Sequence, residues 1–178
     1  MVAARSVFAR RGFAATAISN ITEAAEVSRP TFYVYFTSKE DVLRHVAEAV
    51  RDDFLAAHSY TGPIVDDQRA LSAASVRAFL LAYRDYLPIL QVFEEQAAND
   101  PQIAAIQEEI VMRPRRRTIG QIKRMIAAGA TPAAPPEVIA ISIRSILVAA
   151  STMIDREFGS LDEAVEHCTD LYLRMVGF

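Results

Sequence analysis

The sequence predicts an all-α fold, with a short N-terminal unit of three helices (residues 1–45) followed by a larger helical unit (residues 46–178). Three observations point there. Apolar residues recur at i, i+3, i+4 and i+7 through most of the chain, and no stretch alternates with the period of a strand. Ser, Thr or Asp stands ahead of many of these stretches, where a side-chain oxygen can accept from the orphaned N–H groups of a helix start. Only 6 Gly and 8 Pro interrupt a chain that is 52% hydrophobic, which is too few breakers for a turn-rich β fold and too apolar for disorder.

The elements follow in order. Ala4, Val7 and Phe8 mark a helix from Val2 to Arg11, which Gly12 stops. Thr16 is placed to cap a second helix, Ala17–Ala25, with Ile18 and Ile21 on its apolar side. Ser28 caps a third, Arg29–Tyr35, whose first turn accepts Pro30 because the missing N–H would be orphaned there anyway. Ser38-Lys39-Glu40-Asp41 opens a fourth that reaches about His58, ahead of a break at Tyr60-Thr61-Gly62-Pro63. After Asp66 and Asp67, Leu71, Val76, Phe79, Leu80 and Tyr83 predict a helix over 68–86, and Pro88 starts another over 88–98. Asp100-Pro101 begins a helix from Gln102 to Ala128, in which Pro114 predicts a kink or a division. A loop from Gly129 to Pro136 precedes helices 137–157 and 161–176, the latter capped by Ser160.

Charge and composition narrow the function. The net charge of −3 makes no case for a general polyanion binder, but residues 1–39 carry five basic and two acidic side chains. A basic head on an acidic body is expected where one end meets an anion. Cys168 is the one cysteine, so no internal disulfide forms, and on an apolar face it reads as a small buried hydrophobe. His45, His58 and His167 share no metal-ligand spacing, and no metal or cofactor is expected. Arg144 interrupts the longest apolar run, and the N-terminus lacks a signal peptide's apolar core and cleavage site, so a cytoplasmic protein with no membrane contact is expected. No nucleophile, acid–base or phosphate-loop motif suggests an enzyme. The arginine run Arg113, Arg115, Arg116, Arg117 reads as a solvated stretch paired with Glu108 and Glu109.

Two short helices joined by about three residues, behind an amphipathic first helix, have the layout of a helix-turn-helix, whose second helix enters the major groove of DNA. In Ser28-Arg29-Pro30-Thr31-Phe32-Tyr33-Val34-Tyr35-Phe36, helical spacing puts Phe32 and Phe36 on one side and leaves Arg29, Thr31, Tyr33 and Tyr35 outward. An arginine and two outward tyrosines with no acid among them suit phosphates and base edges.

Val7-Phe8-Ala9-Arg10-Arg11-Gly12-Phe13-Ala14-Ala15-Thr16, followed by Ile18, Ile21, Ala24-Ala25, Val27-Ser28, Thr31-Phe32-Tyr33, Tyr35-Phe36 and Ser38-Lys39-Glu40, resembles the N-terminal signature of the TetR family of transcriptional repressors over about residues 5–45. The resemblance implies an N-terminal DNA-binding domain, a C-terminal ligand-binding and dimerisation domain, and release of DNA when a small molecule binds. It further implies that Thr16 meets phosphate, that Ser28, Arg29, Thr31 and Tyr33 face DNA, that Tyr35 reaches the backbone, and that Lys39 holds phosphate. Glu26 departs from the pattern, standing where a turn glycine is usual.

The remaining expectations rest on the apolar faces beyond residue 46. Helices 137–157 and 161–176 carry more apolar surface than one small domain covers, which predicts a homodimer through Ser145, Ala149, Ala150, Leu161, Val165, Cys168, Leu171 and Tyr172. A two-fold dimer requires an inverted-repeat operator on double-stranded DNA. Phe79, Tyr83, Leu90, Phe93, Ile110, Ile119, Ile122, Ile143 and Leu147 are expected to line an apolar pocket for a small hydrophobic ligand, with the Tyr83 hydroxyl as its polar anchor. The alternative is a helical small-ligand or lipid carrier with a vestigial helix-turn-helix, which salt-dependent DNA affinity would separate from a regulator.

Overall fold

The structure, a computed structural model, describes residues 1–57 and 67–178. Among these residues all regular structure is helical, in the order α1 (Val2–Arg11), α2 (Ile18–Ala24), α3 (Arg29–Tyr35), α4 (Lys39–Ala57), α5 (Gln68–Ala97), α6 (Pro101–Ala127), α7 (Pro136–Met153), a π-helical turn (Ile154–Phe158) and α8 (Leu161–Val176). The expected helix end at His58, the break Tyr60-Thr61-Gly62-Pro63, and Asp66 lie outside the described residues.

Local chemistry sets most boundaries as expected. Ser28 Oγ accepts from the Thr31 N–H at 3.1 Å, Ser38 Oγ from Asp41 at 3.1 Å and Ser160 Oγ from Glu163 at 3.2 Å. Asp100 Oδ1 accepts from Gln102 at 3.0 Å and from Ile103 at 3.3 Å. Thr16 is a correction. It is not the cap of α2: its hydroxyl turns back to donate to the Gly12 carbonyl at 2.7 Å, and the Ala17 N–H is capped instead by Asn20 Oδ1 at 2.9 Å.

The reading of Pro88 is also corrected. Pro88 lies inside α5 and does not begin a new helix, and Pro114 lies inside α6 without dividing it. A proline in a helix interior costs about 3 kcal/mol. Directly after Pro88, Ile89, Leu90, Val92 and Phe93 are all buried, and each such side chain returns about 1.5–3 kcal/mol. The burial outweighs the break. A third correction concerns length: despite Arg144, the helical span Pro136–Phe158 is long and apolar enough to cross a membrane by length and composition, its most apolar 18-residue window having a mean hydropathy of 1.7. In this fold one side of that helix is core, with Ile139, Ala140, Ile143, Leu147, Ala150 and Ser151 buried.

Packing divides the chain into two compact units. The first comprises Met1–Phe54 with Tyr86–Ile110, the second Leu55–Asp85 with Val111–Phe178. In the first, Phe8, Ile21, Phe32, Val42, Val46, Val50 and Phe54 are buried along with Ile89, Phe93, Ile103 and Ile106. Arg44 Nε meets Asp100 Oδ2 at 2.7 Å, the Arg5 guanidinium lies 5.2 Å from the centre of the Tyr86 ring, and Phe54 meets Tyr86 edge-on at 6.2 Å. The helix-turn-helix is thus carried on the far ends of α5 and α6 as well as on α4.

In the second unit α5, α6, α7 and α8 enclose a core of Val76, Phe79, Leu80, Ile122, Met125, Ile139, Leu147 and Val176, among others. Arg69 pairs with Asp170 and Arg77 with Asp162, tying α5 to α8 at two levels. Beyond α8, Gly177 adopts φ 84°, and Phe178 N–H donates to the Leu173 carbonyl at 2.9 Å.

Candidate functional site

The first candidate site is the α2–turn–α3 segment. Phe32 is its anchor. It is buried, stacks obliquely on Phe36 at 5.6 Å and takes the Tyr33 ring edge-on at 5.3 Å. With the remaining residues of the seven-residue helix exposed, Tyr33 stands 55% exposed, Val34 76% and Tyr35 72%. Arg29, Pro30 and Thr31 are exposed beside them, and the helix holds no acidic residue. Large apolar and aromatic surface left in water at one end of a small helix marks a surface made to be covered. The Ser28 hydroxyl serves α3 first, as its cap, and hydrogen-bonds the Thr31 hydroxyl at 2.8 Å.

The turn itself is strained. Glu26 adopts φ 55°, the left-handed region that favours glycine, and is the one non-glycine residue so placed among the described residues. The strain is held by the Val27 N–H donating to the Thr22 carbonyl at 3.0 Å.

Lys39 and Thr16 sit differently from the other residues implied for DNA. Lys39 Nζ donates to the Phe13 carbonyl at 2.8 Å and lies 4.2 Å from the Phe13 ring centre, so it ties the start of α4 to the α1–α2 turn and keeps its other two donors for a further partner. Thr16 is buried with its hydroxyl taken up by Gly12, which removes its side chain from the set that can touch phosphate. At the same helix start, Thr37 donates its N–H (2.8 Å) and hydroxyl (3.0 Å) to Asp41 Oδ2. The Thr37 N–H is the main reason that this carboxyl lies below its ordinary pKa.

The second candidate site is a cavity of about 100 Å³ in the second unit, partly open to solvent. Three helices each present residues at positions 0, 3, 4 and 7 to it. These are Ser72, Ser75, Val76 and Phe79 on α5, Pro114, Arg117, Thr118 and Gln121 on α6, and Ala140, Ile143, Arg144 and Leu147 on α7. Arg115 and Tyr172 complete the lining. Of the expected pocket residues, Phe79, Ile143 and Leu147 are there. Leu90, Phe93 and Ile110 are not, because they belong to the core of the first unit. Ile119 and Ile122 turn away on α6, with Ile122 fully buried.

Tyr83 is not in the lining either. Its ring stacks on Phe79 at 5.3 Å, and its hydroxyl accepts a long hydrogen bond of 3.4 Å from Arg144, whose guanidinium lies 5.9 Å from the Tyr83 ring centre. The polar side chain presented at the cavity is therefore that of Arg144, with Tyr83 behind it. Sequence reasoning missed Arg115 and Arg117 by reading the arginine run as solvated, although the 114, 117, 118, 121 spacing puts part of that run on one helix face. Tyr172 has its hydroxyl pushed up to about 12, by burial with a smaller opposing pull from Arg124, and it points that hydroxyl at Met125 Sδ, 3.9 Å away.

The expected dimer surface is corrected in part. Ala150, Val165, Cys168 and Tyr172 are buried within the chain and cannot be offered to a partner. Ser145, Ala149 and Leu171 are exposed and Leu161 partly so. Val138 and Ile141, about half exposed and absent from the expected set, extend the Ser145–Ala149 line along α7.

Residues 1–46 match the family model described as bacterial regulatory proteins, tetR family. A curated relative, the HTH-type transcriptional activator FasR of Mycolicibacterium smegmatis, is 29% identical over 106 residues, which is 59% of this chain and about half (48%) of that protein. A bacterial regulatory protein of the tetR family from Rhodococcus RHA1 superposes with a TM-score of 0.81 at 23% identity, over 99% of this chain and 94% of that one. The TetR family transcriptional regulator PfmR from Thermus thermophilus superposes with a TM-score of 0.77 at 17% identity, over 96% and 94%. Over its first 46 residues the chain resembles the tetR family of bacterial regulatory proteins, and its whole-chain fold is that of solved tetR-family regulators.

Proposed function

We propose that the chain is a ligand-responsive transcriptional regulator that binds an inverted-repeat operator as a homodimer and leaves it when a small, mostly apolar molecule occupies the cavity of the second unit. The observation that carries this reading is α3, whose Arg29, Thr31, Tyr33 and Tyr35 are exposed around one buried anchor with no acid among them. Tyr33, Thr31, Arg29 and Ser28 meet base edges and nearby phosphates, while Tyr35 and Lys39 meet the backbone. A small-ligand carrier has no use for such a helix.

The dimer is supported by Val138, Ile141, Ser145 and Ala149, which line one exposed face of α7, and by Leu171 on α8. Small side chains at 145 and 149 permit close helix approach. A ligand shifts DNA affinity only by its own differential affinity for the two conformations, typically about 1–3 kcal/mol. Whether release turns a gene on or off depends on where the operator lies, not on the chain. Operation in the cytoplasm, where DNA and metabolites meet, follows from this reading.

The test is a selection of genomic fragments by purified protein, followed by fluorescence anisotropy against salt. Tyr33→Ala is expected to cost about 1–3 kcal/mol on the selected fragment. Binding by Tyr33→Ala equal to wild type would remove α3 from the reading.

A further inference from the structure

We infer that the ligand of the second-unit cavity is a small organic anion, a monocarboxylate with a compact apolar body. The inference rests on the reading of that cavity as a ligand site and gives it a chemical class. Three of its lining side chains are arginines, 115, 117 and 144, and none is acidic. Among the described residues no carboxylate pairs with Arg115 or Arg144. Arg144 is instead held by neutral Tyr83, through the ring and the hydroxyl, which orients the guanidinium without neutralising it.

The second observation is independent of charge counting. Arg115 Nε and Gln121 Nε2 are both buried without a hydrogen-bond partner, and both are donors. Buried donors left unmet are costly, and more so when charged. A ligand whose acceptor oxygens meet these donors, once the two lining side chains turn toward the cavity, removes that cost. A carboxylate does so with two oxygens in one plane, matching the guanidinium fork.

The rest of the lining limits the body of the ligand. Val76, Phe79, Ile143 and Leu147 are apolar, so a polyhydroxylated or multiply charged ligand finds too few partners there. The volume of about 100 Å³ is somewhat below that of an engineered cavity of about 150 Å³ known to take benzene, so the body is one small ring or a short chain.

The test is calorimetric titration of the purified full chain with benzoate, phenylacetate and hexanoate, beside neutral benzamide, benzyl alcohol and hexanol, with inorganic phosphate as a small-anion control. At least one carboxylate is expected to bind on the order of 10- to 100-fold more tightly than its neutral counterpart, as expected for charge-assisted hydrogen bonds. Arg144→Gln and Arg115→Gln should each weaken that carboxylate at least tenfold and leave the neutral compounds within twofold. The unliganded variants should keep the wild-type circular dichroism spectrum. Arg144→Lys should keep part of the binding that Arg144→Gln loses. Neutral compounds binding as tightly as carboxylates, with both variants unchanged, would overturn the anionic class and leave the apolar pocket standing. Phosphate binding as tightly as the carboxylates would overturn the requirement for an apolar body. No binding by either organic class would overturn both the inference and the cavity reading beneath it.

Discussion

Replacing Glu26 by glycine is expected to stabilise the protein and tighten its hold on DNA at once. At φ 55° the Cβ of a non-glycine residue crowds the following carbonyl, at a cost of about 1–2 kcal/mol. Glycine relieves this but gives the unfolded chain more freedom, which takes back about 0.4–1 kcal/mol. The net expectation is a gain of about 0.5–1 kcal/mol, or roughly 1–4 °C in Tm for a chain of this size. Urea unfolding followed by circular dichroism measures it, and a shift of the midpoint at constant slope identifies it as native-state stability. The second effect is electrostatic, since Glu26 is exposed two residues ahead of Ser28 and its loss takes a negative charge from beside α3, the helix proposed to meet DNA. Glu26→Gln separates the two effects, because it keeps the strain and removes the charge. It should tighten DNA binding at low salt and leave stability unchanged. A glycine variant no more stable than wild type would refute the strain argument, and a glutamine variant with unaltered DNA affinity would refute the placement of this turn beside DNA.

Three further outcomes follow. Gly177→Ala should destabilise the protein by about 1–3 kcal/mol in urea unfolding, because its φ is 84° and an added Cβ would lie 2.2 Å from the Thr131 carbonyl oxygen. Asp100 should contribute acid sensitivity: burial raises its pKa, but the Arg44 pair and the N–H groups of Ile103 and Gln102 outweigh this and leave it lowered. A depressed carboxyl pKa adds stability that is full above the unfolded value of about 4 and lost as pH falls through the folded value, so Asp100→Asn should flatten the acid limb of a stability–pH curve. Lys39→Ala should lower the salt slope of DNA binding by about one and also reduce stability, since its ammonium holds the Phe13 carbonyl; an unchanged slope would leave Lys39 a purely structural role.

What was legible in the sequence was local. Ser28, Ser160 and the Asp100-Pro101 pair act on the backbone two or three residues away, and α3 and α8 begin and end where their caps and spacing predict. The outward set of α3 was equally legible, because one short helix with two phenylalanines on one side leaves little choice of face. Pro88 misled because its local cost is fixed while the burial that outweighs it is tertiary. Tertiary packing likewise decides that Leu90, Phe93 and Ile110 serve the N-terminal unit and not the cavity, which nothing local shows. Ala150, Val165, Cys168 and Tyr172 were misassigned because periodicity identifies an apolar face without saying whether the chain's own helices or a second copy covers it. The cavity arginines were legible in part, through the 114, 117, 118, 121 spacing, but only once α6 is known to run unbroken through Pro114.

The most direct test of the central claim is a hydroxyl-radical footprint on the fragment selected from genomic DNA, with wild type and Tyr33→Ala side by side. The account predicts two protected segments on one face of the duplex, about 34–36 Å or a multiple of that apart and related by an inverted repeat, both lost together in Tyr33→Ala. A single protected segment, or a pattern indifferent to Tyr33→Ala, would contradict it.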